Sequence, residues 1–313
     1  MSSSRGRASD DTEHHGRPLQ LVMNILTFDI EDWFHLLHNE STRTTQQWES
    51  YEPRIHENVD RILEVLSRKD QRATFFCLGW IAERYPEVIR TIHGLGHEIG
   101  SHSYAHNTLS DQNPEDFKRD VSRSLLALED VIGEKVRCYR APGFSLTVAN
   151  VWAFDCLMEL GIEVDCSLST GSGFYGSFEI LTSAQPLWIE HGGRRLKEFP
   201  LGAFPVMGKR MIFSGGGYFR LLPYAAVRAM SRNSSYVMAY FHPRDFDPDQ
   251  PVLSGLTIDR RFRSYVGLSS SLAKLEQFLD DFTFVDIATA LNTIDWDHAP
   301  LLRLPPPEQH RLA

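Results

Sequence analysis

Several features that mark other protein classes are absent from this 313-residue chain, or scarce in it. Its four cysteines show neither a C-x-x-C pair nor a dense spacing, which excludes a cysteine-based zinc module and a disulfide scaffold. No apolar run approaches 18 residues, so no membrane span is expected. The chain has no long basic run, and its net charge of −9 argues against nucleic acid as a partner.

The two ends of the chain are polar or proline-rich and lack the pattern of a folded unit. Residues 1–20 contain no apolar stretch of the kind found in a secretory signal, and we expect a disordered polar tail there. Residues 299–313 are expected to form a Pro-rich C-terminal tail. Residues 21–298 show no internal repeat and no long linker, which predicts one domain. The missing signal and the unpaired cysteines together predict a cytoplasmic location.

Between these ends, short apolar strand candidates alternate with amphipathic helix candidates such as residues 54–70 and 114–133. This alternation predicts an α/β fold with a mostly parallel sheet and helices outside it. Polar clusters follow the predicted strands at their carboxyl ends, as in a (β/α) barrel. A doubly wound open sheet is the alternative, but the Gly-rich phosphate loop expected after an early strand is missing. Residues 170–220 are predicted to be loop-rich.

The stretch "ILTFDIEDWFH", residues 25–35, ends a buried-looking strand in three carboxylates. Such a cluster is costly to bury unless a positive group lies among the acids, and a bound cation is one candidate. Period-2 alternation places Asp29 and Glu31 on one face, so one could bind metal while the other acts on water. Asp32 is the rival ligand if the chain turns directly after Ile30.

Histidines supply the other candidate ligands. In "SHSYAH", His102 and His106 have the H-x3-H spacing that places two imidazoles on one side of a tight loop or helical turn. Two histidines and one carboxylate form a common catalytic metal site with open positions. His242, at the end of the strand in "AYFHP", has the near-neutral pKa of a general acid that could protonate a leaving amine.

Arg140, just past another strand, needs a carboxylate partner if it is buried, and Asp165 after the next strand is the candidate. Such a pair could hold a catalytic acid in position, or it could be purely structural.

In this order, "TFDIED", "SHSYAH", "YRAPGF", "EVDCS" and "YFHP" resemble the five motifs of the polysaccharide deacetylase family of carbohydrate esterases, also called the NodB-homology family. The match runs over about residues 25–290. The chain is most similar to the subgroup found with exopolysaccharide loci, through "FDIEDWFH", "EFPLG" and "YFHPRDFDP".

The resemblance implies a distorted (β/α) barrel, a divalent metal (commonly zinc, with cobalt as another candidate) and hydrolysis of an N-acetyl group on a sugar. By this resemblance Asp29 is the base and His242 is the acid. His102 and His106 are metal ligands, and Arg140 and Asp165 are the polarising pair. Four further residues are expected to contact the sugar: Trp33, Gly143, Phe144 and Tyr218.

The sequence departs from the family pattern at two places. The first motif usually has two adjacent aspartates, but Ile30 stands at the second position, so the metal carboxylate must shift to Glu31 or Asp32; alternation favours Glu31. In the third motif, Gly143 and Phe144 are reversed, which leaves the expected oxyanion contact from the Gly143 N–H open.

The predicted substrate is an N-acetylated glycan or a lipid- or nucleotide-linked sugar precursor in exopolysaccharide or surface-glycan synthesis. An association with membrane-bound glycan-synthesis machinery is a further expectation. Two other interpretations remain: an amidohydrolase of a small amide, similar to an allantoinase, and a metal-free glycan-binding pseudoenzyme that lost a ligand at Ile30.

Overall fold

The computed structural model of the chain describes residues 23–170, 181, 183–206 and 208–305. The predicted N-terminal tail, the stretch "GSGFYGS" and the last eight residues lie outside these ranges.

The described ranges contain eleven strands and eleven α-helices. The strands are β1 (Met23–Ile30), β2 (Thr74–Cys77), β3 (Glu98–Ser101), β4 (Cys138–Tyr139), β5 (Val164–Asp165), β6 (Leu187–His191), β7 (Arg194–Glu198), β8 (Phe204–Val206), β9 (Lys209–Met211), β10 (Tyr236–Phe241) and β11 (Leu301–Arg303). The helices are α1 (Thr45–Trp48), α2 (Ile55–Arg68), α3 (Gly79–Arg84), α4 (Pro86–Gly94), α5 (Pro114–Ile132), α6 (Trp152–Glu159), α7 (Gly216–Leu221), α8 (Tyr224–Arg232), α9 (Ile258–Tyr265), α10 (Leu268–Asp281) and α11 (Ile287–Thr293).

Nine strands form one sheet in the order β10-β1-β2-β3-β4-β5-β7-β6-β11, and β8 pairs with β9 in a separate hairpin. The pairings from β10 through β5 to β7 are all parallel, because helices connect the early strands on the outside. Among the described residues no ladder joins β10 to β11, so the sheet curves without closing. The prediction of a distorted (β/α) barrel in one domain is confirmed.

Strand β1 lies between β10 and β2 in the sheet. Its two faces differ, and one of them places the Asp29 carboxylate on the inner side of the sheet. Leu26, Phe28 and Ile30 point into the large cluster between sheet and helices, whereas Ile25 packs in a second cluster on the other face. Because side chains alternate along a strand, Asp29 shares the inner face with Ile25.

Three expectations about secondary structure need correction. The segment predicted to be loop-rich contains the β6–β7 hairpin, whose turn residues Gly192 and Gly193 have φ of 56° and 77°, values that suit a tight two-residue hairpin. The sequence pattern of residues 81–97 predicts a single helix, but the structure has two, α3 and α4, with the division at Pro86. Proline has no backbone N–H to continue the hydrogen bonds of the preceding helix. The C-terminal tail expected from residue 299 contains β11, which pairs parallel with β6.

All four cysteines are buried free thiols. None of the helices in the described ranges is long and apolar enough to cross a bilayer.

Candidate metal centre and active site

The carboxyl ends of four parallel strands bring the polar residues of distant sequence segments together. Asp29 and Glu31 come from the end of β1, His102 follows β3, Arg140 follows β4, and His242 follows β10. All five side chains are buried or nearly so. The order of the strands in the sheet therefore determines which of these side chains lie close together.

Glu31 is the centre of the cluster. Its Oε1 lies 3.2 Å from His102 Nε2, 2.9 Å from His106 Nε2 and 3.7 Å from His242 Nε2. Burial opposes ionisation of this carboxyl, but the surrounding histidines outweigh it and hold the pKa of Glu31 well below its usual range. Glu31 is therefore an anion enclosed by imidazole rings.

The donor atoms of Glu31, His102 and His106 fit a divalent metal. They lie within 4.8 Å of one another, and two imidazoles with one carboxylate are a donor set that suits zinc and similar ions. His102 Nδ1 lies 2.8 Å from the Arg140 carbonyl oxygen, to which it can only donate, so His102 Nε2 is left as the free ligand atom. His106 Nε2 is buried without a hydrogen-bond partner, because its close approach to Glu31 lacks hydrogen-bond alignment.

The loop after β3 holds His106 towards His102. Ser103 and His106 have φ of 67° and 54°, in the left-handed region that non-glycine residues rarely occupy. Asp120 of α5 accepts the backbone N–H groups of Tyr104 and Ala105, and His106 N–H donates to Ser103 Oγ. The H-x3-H pair is therefore positioned by a tight loop and not by a helix.

The structure does not bring Asp32 to the histidines. Its Oδ2 accepts the backbone N–H groups of Arg54 and Ile55 at 2.9 and 3.1 Å, and its Oδ1 accepts that of Trp33. Asp32 thus binds the first amides of α2, and burial raises its pKa to about 6. The chain does not turn early enough for Asp32 to take the ligand position that Glu31 occupies.

Asp29 lies beside the cluster, and its charge is neutralised by the buried guanidinium of Arg140. Its Oδ1 accepts a 2.7 Å bond from Arg140 Nη1, and its Oδ2 lies 4.0 Å from His242 Nε2. Arg140 is fully buried, and its guanidinium lies 4.1 Å from the centre of the Phe76 ring. Asp29 therefore has one oxygen fixed by a cation and one oxygen turned towards the histidine.

The predicted pairing of Arg140 with Asp165 is wrong. Asp165 Oδ1 accepts instead from Ser167 Oγ at 2.6 Å, and its neighbour across the β5–β7 ladder is Glu198. Both carboxyls are fully buried, and burial raises the pKa of each, that of Glu198 far above its usual range. Ser167 Oγ also accepts the Ala141 N–H at 2.8 Å, which links Asp165 to the turn after β4.

His242 is oriented by a second acid. Its Nδ1 lies 3.0 Å from Asp245 Oδ2, and Asp245 in turn faces Arg220, with 3.2 Å between Nε and Oδ1. Burial disfavours the charged imidazole, but Glu31 and Asp245 outweigh that cost and raise the pKa of His242. His242 is therefore held as a proton carrier that faces Asp29 and Glu31.

Five of these residues line a cavity of about 520 Å³, a volume typical of a ligand pocket: Asp29, Glu31, His106, His242 and Asp245. Gly143 and Phe144 line it from the turn after β4, and Tyr218, 46% exposed, lines it from α7. Trp33 is not among the lining residues. It is buried, donates from Nε1 to the Glu52 carbonyl and packs on aromatic rings, so its predicted contact with the sugar is not supported.

Sequence reasoning missed three residues of this pocket. His35 accepts the Asp32 N–H on Nδ1 and lies in a cage of aromatic rings, and its position directly after the acids was the available signal. Asp245, three residues after His242, could have been found from the i+3 spacing in a one-turn 3-10 segment. Arg244 lines the cavity with no sequence signal beyond its charge.

Two family models match the chain. The model described as "Polysaccharide deacetylase" matches residues 25–156, and a "Domain of unknown function (DUF3473)" matches residues 166–292. The first model includes the β1 acids, the histidine pair and Arg140, and the second includes Asp165 and His242.

Curated relatives and solved structures agree with this match. A peptidoglycan-N-acetylglucosamine deacetylase of Bacillus cereus is 31% identical over 86 residues, 28% of this chain and 31% of the relative. A chitooligosaccharide deacetylase of Azorhizobium caulinodans is 34% identical over 93 residues, 29% of this chain and 44% of the relative. Both alignments span less than half of the relative's length.

Solved structures show a similar fold over most of the chain. A putative polysaccharide deacetylase from Mycobacterium smegmatis superposes with a TM-score of 0.60 at 21% identity, covering 89% of this chain and 92% of that one. The PuuE allantoinase superposes with a TM-score of 0.57 at 16% identity, covering 88% and 91%. At these identities the likeness concerns the fold alone.

Metal binding should depend on Glu31 and His106 but not on Asp32. We expect calorimetric titration with Zn²⁺ to give one site per chain, with affinity lowered about a hundredfold or more in Glu31→Gln and His106→Ala, because each loses a ligand atom. Asp32→Asn is the matched control, since an asparagine can still accept the α2 amides. Loss of binding in Asp32→Asn with retention in Glu31→Gln would reverse the assignment.

The buried Asp165–Glu198 pair should make stability fall as the pH rises. The unfolded chain releases the Glu198 proton near 4.5, whereas the folded chain keeps it because its pKa is raised, so ionisation favours unfolding above that pH. Glu198→Gln removes this ionisation, and its melting temperature should fall less than that of the unmodified protein between pH 5 and pH 8. The exposed Glu163→Gln is the control, and an identical pH dependence in all three proteins would contradict the raised pKa of Glu198.

Proposed function

Because the chain belongs to the polysaccharide deacetylase family, we propose that it is a metal-dependent hydrolase that removes N-acetyl groups from an amino-sugar-containing glycan or glycan precursor. The observation that carries the proposal is the cluster of Glu31, His102 and His106. Glu31 and His106 of this cluster line one cavity together with Asp29 and His242. Amide hydrolysis needs an electrophilic centre, a base and an acid within reach of one bond.

In this proposal Glu31, His102 and His106 hold the cation, and zinc is the first candidate. A divalent cation held there supplies Lewis acidity towards water and towards a carbonyl oxygen. The buried Arg140 carbonyl fixes the ring of His102, so that its Nε2 stays available.

Asp29 is the proposed base. Arg140 keeps one of its oxygens engaged, so the other oxygen accepts the proton of the water that attacks the acetamide carbon. His242 is the proposed acid: its Nε2 faces the reacting centre while Asp245 holds Nδ1. As the C–N bond breaks, the nitrogen takes the His242 proton, and acetate and a free amine are released.

The remaining sequence-predicted residues support binding in this scheme. Gly143 lies on the cavity wall with φ of 61°, and its N–H is the proposed donor to the carbonyl oxygen as that oxygen becomes negative. Phe144 and Tyr218 are the proposed surfaces for the sugar ring. Asp165, through Ser167 and the Ala141 N–H, fixes the turn that holds Gly143 and Phe144.

We also propose that the enzyme acts in exopolysaccharide or surface-glycan synthesis, and that its substrate is a lipid- or nucleotide-linked sugar precursor. A cytoplasmic location near membrane-bound synthesis machinery belongs with it. The four buried free thiols support a reducing compartment.

The direct test is acetate release from a panel of N-acetylated sugars, nucleotide sugars and oligosaccharides, with zinc, with cobalt and with a chelator. Allantoin is included as a small amide. Chelator-sensitive acetate release supports the proposal. Turnover of allantoin without acetate release would favour a small-amide hydrolase, and a metal-loaded protein that is silent on every substrate would contradict the proposal.

Asp29→Asn should lose activity but keep its metal. We expect a decrease in kcat of roughly 10²–10⁴-fold, since the base is lost while the three proposed ligand atoms are unchanged. Acetate release and zinc content, measured on the same preparation, separate the two effects. A variant that loses zinc together with activity would show that Asp29 is a ligand and not the base.

Asp245→Asn should shift the pH profile of kcat/KM. Asp245 raises the pKa of His242, and a general acid acts only when protonated, so removing this carboxylate should move the alkaline limb of the profile to lower pH. The exposed Asp259→Asn serves as a charge-matched control. An unmoved alkaline limb in Asp245→Asn would remove His242 from the role of acid.

A further inference from the structure

The guanidinium of Arg244 has no partner in the part of the chain that the structure describes. It lies two residues after His242 and lines the same cavity, yet it forms no ion pair with a described carboxylate. Its Nε is enclosed from solvent with no acceptor in reach. Leaving a buried donor without an acceptor is costly, so an acceptor is expected from a ligand.

Two acids of the cavity are already paired with arginines other than Arg244. Asp29 is paired with Arg140, and Asp245 with Arg220. The acids that could have attracted Arg244 are therefore engaged with other arginines.

A second arginine of the same cavity adds to its positive charge. Arg260 of α9 lines the cavity and donates to the carbonyl oxygens of Leu37 and His38. Within the described ranges it forms no ion pair with a carboxylate. The cavity is thus lined by two arginines that have no carboxylate partner among the described residues, Arg244 and Arg260, in a chain whose net charge is −9. Such a local positive field attracts anionic ligands.

We propose that the cavity takes an N-acetylated sugar that carries an oxyanion group, a phosphate or a carboxylate, and that Arg244 binds this group next to the acetamide site. Phosphate and carboxylate can each present two oxygens that accept two parallel hydrogen bonds from a guanidinium. Arg260 adds long-range attraction while its own donors remain on the Leu37–His38 segment.

The inference rests on the proposed deacetylase function only for the acetamide part of the ligand. Binding of the anionic part is separable, because Arg244 is neither a proposed metal ligand nor a proposed acid or base. A binding experiment therefore tests it even where no turnover is seen.

The experiment compares N-acetylglucosamine 1-phosphate and an N-acetylated aminouronic acid with neutral methyl N-acetylglucosaminide, by calorimetry on the zinc-loaded protein. We expect at least one anionic sugar to bind about tenfold or more tightly than the neutral one. The two anionic arms distinguish phosphate from carboxylate. Arg244→Gln should abolish the advantage, and Arg244→Lys should restore part of it, because lysine keeps the charge but not the fork.

Arg261→Gln is the matched control, since Arg261 is an exposed arginine of the same helix as Arg260 and does not line the cavity. It should keep the full preference for the anionic sugar. Equal binding of neutral and anionic sugars would overturn the inference. An anionic preference that persists in Arg244→Gln would also overturn it, because it would place the oxyanion on the metal or elsewhere. Where acetate release is measurable, the same preference should appear in KM.

Discussion

The buried ion pair between Arg140 and Asp29 is the interaction on which the rest of the site depends. Taking a guanidinium out of water is costly, and Arg140 recovers that cost through Asp29, Thr27 Oγ1 and the Cys166 carbonyl. The same residue fixes His102 through its backbone carbonyl. One residue at the end of β4 therefore positions a proposed base and a proposed metal ligand, and the barrel geometry that brings β1, β3 and β4 together is what makes this contact available.

Charge is distributed among the acids of the cavity so that each has a different partner. Asp29 is paired with Arg140, and Asp245 is paired with Arg220 and His242. Glu31 has only histidine side chains as its charged neighbours. This division explains how two carboxylates two residues apart can differ in function: one is held by a fixed cation, and the other is free to bind an added one. Arg244 extends the same reasoning to the substrate, because it is a charge of the cavity for which the described chain supplies no carboxylate partner.

The sequence predicted the fold class and the position of the site because both follow from short periodicities. Strand–helix alternation gave the barrel, and period-2 alternation placed Asp29 and Glu31 on the inner face of β1. The sequence could not predict that Arg140 pairs with Asp29, because the two residues are 111 positions apart. Their contact depends on how the strands are arranged around the barrel. The helix-binding role of Asp32 was hidden because its partners, the amides of Arg54 and Ile55, follow a long loop.

The most direct test is a crystal structure of the zinc-soaked protein with data collected on both sides of the zinc absorption edge. The account predicts one strong anomalous peak bound by Glu31 and the Nε2 atoms of His102 and His106, with Asp29 still paired to Arg140. A peak bound by Asp29 or Asp32 instead of Glu31, or a well-ordered cavity with no peak at saturating zinc, would contradict it.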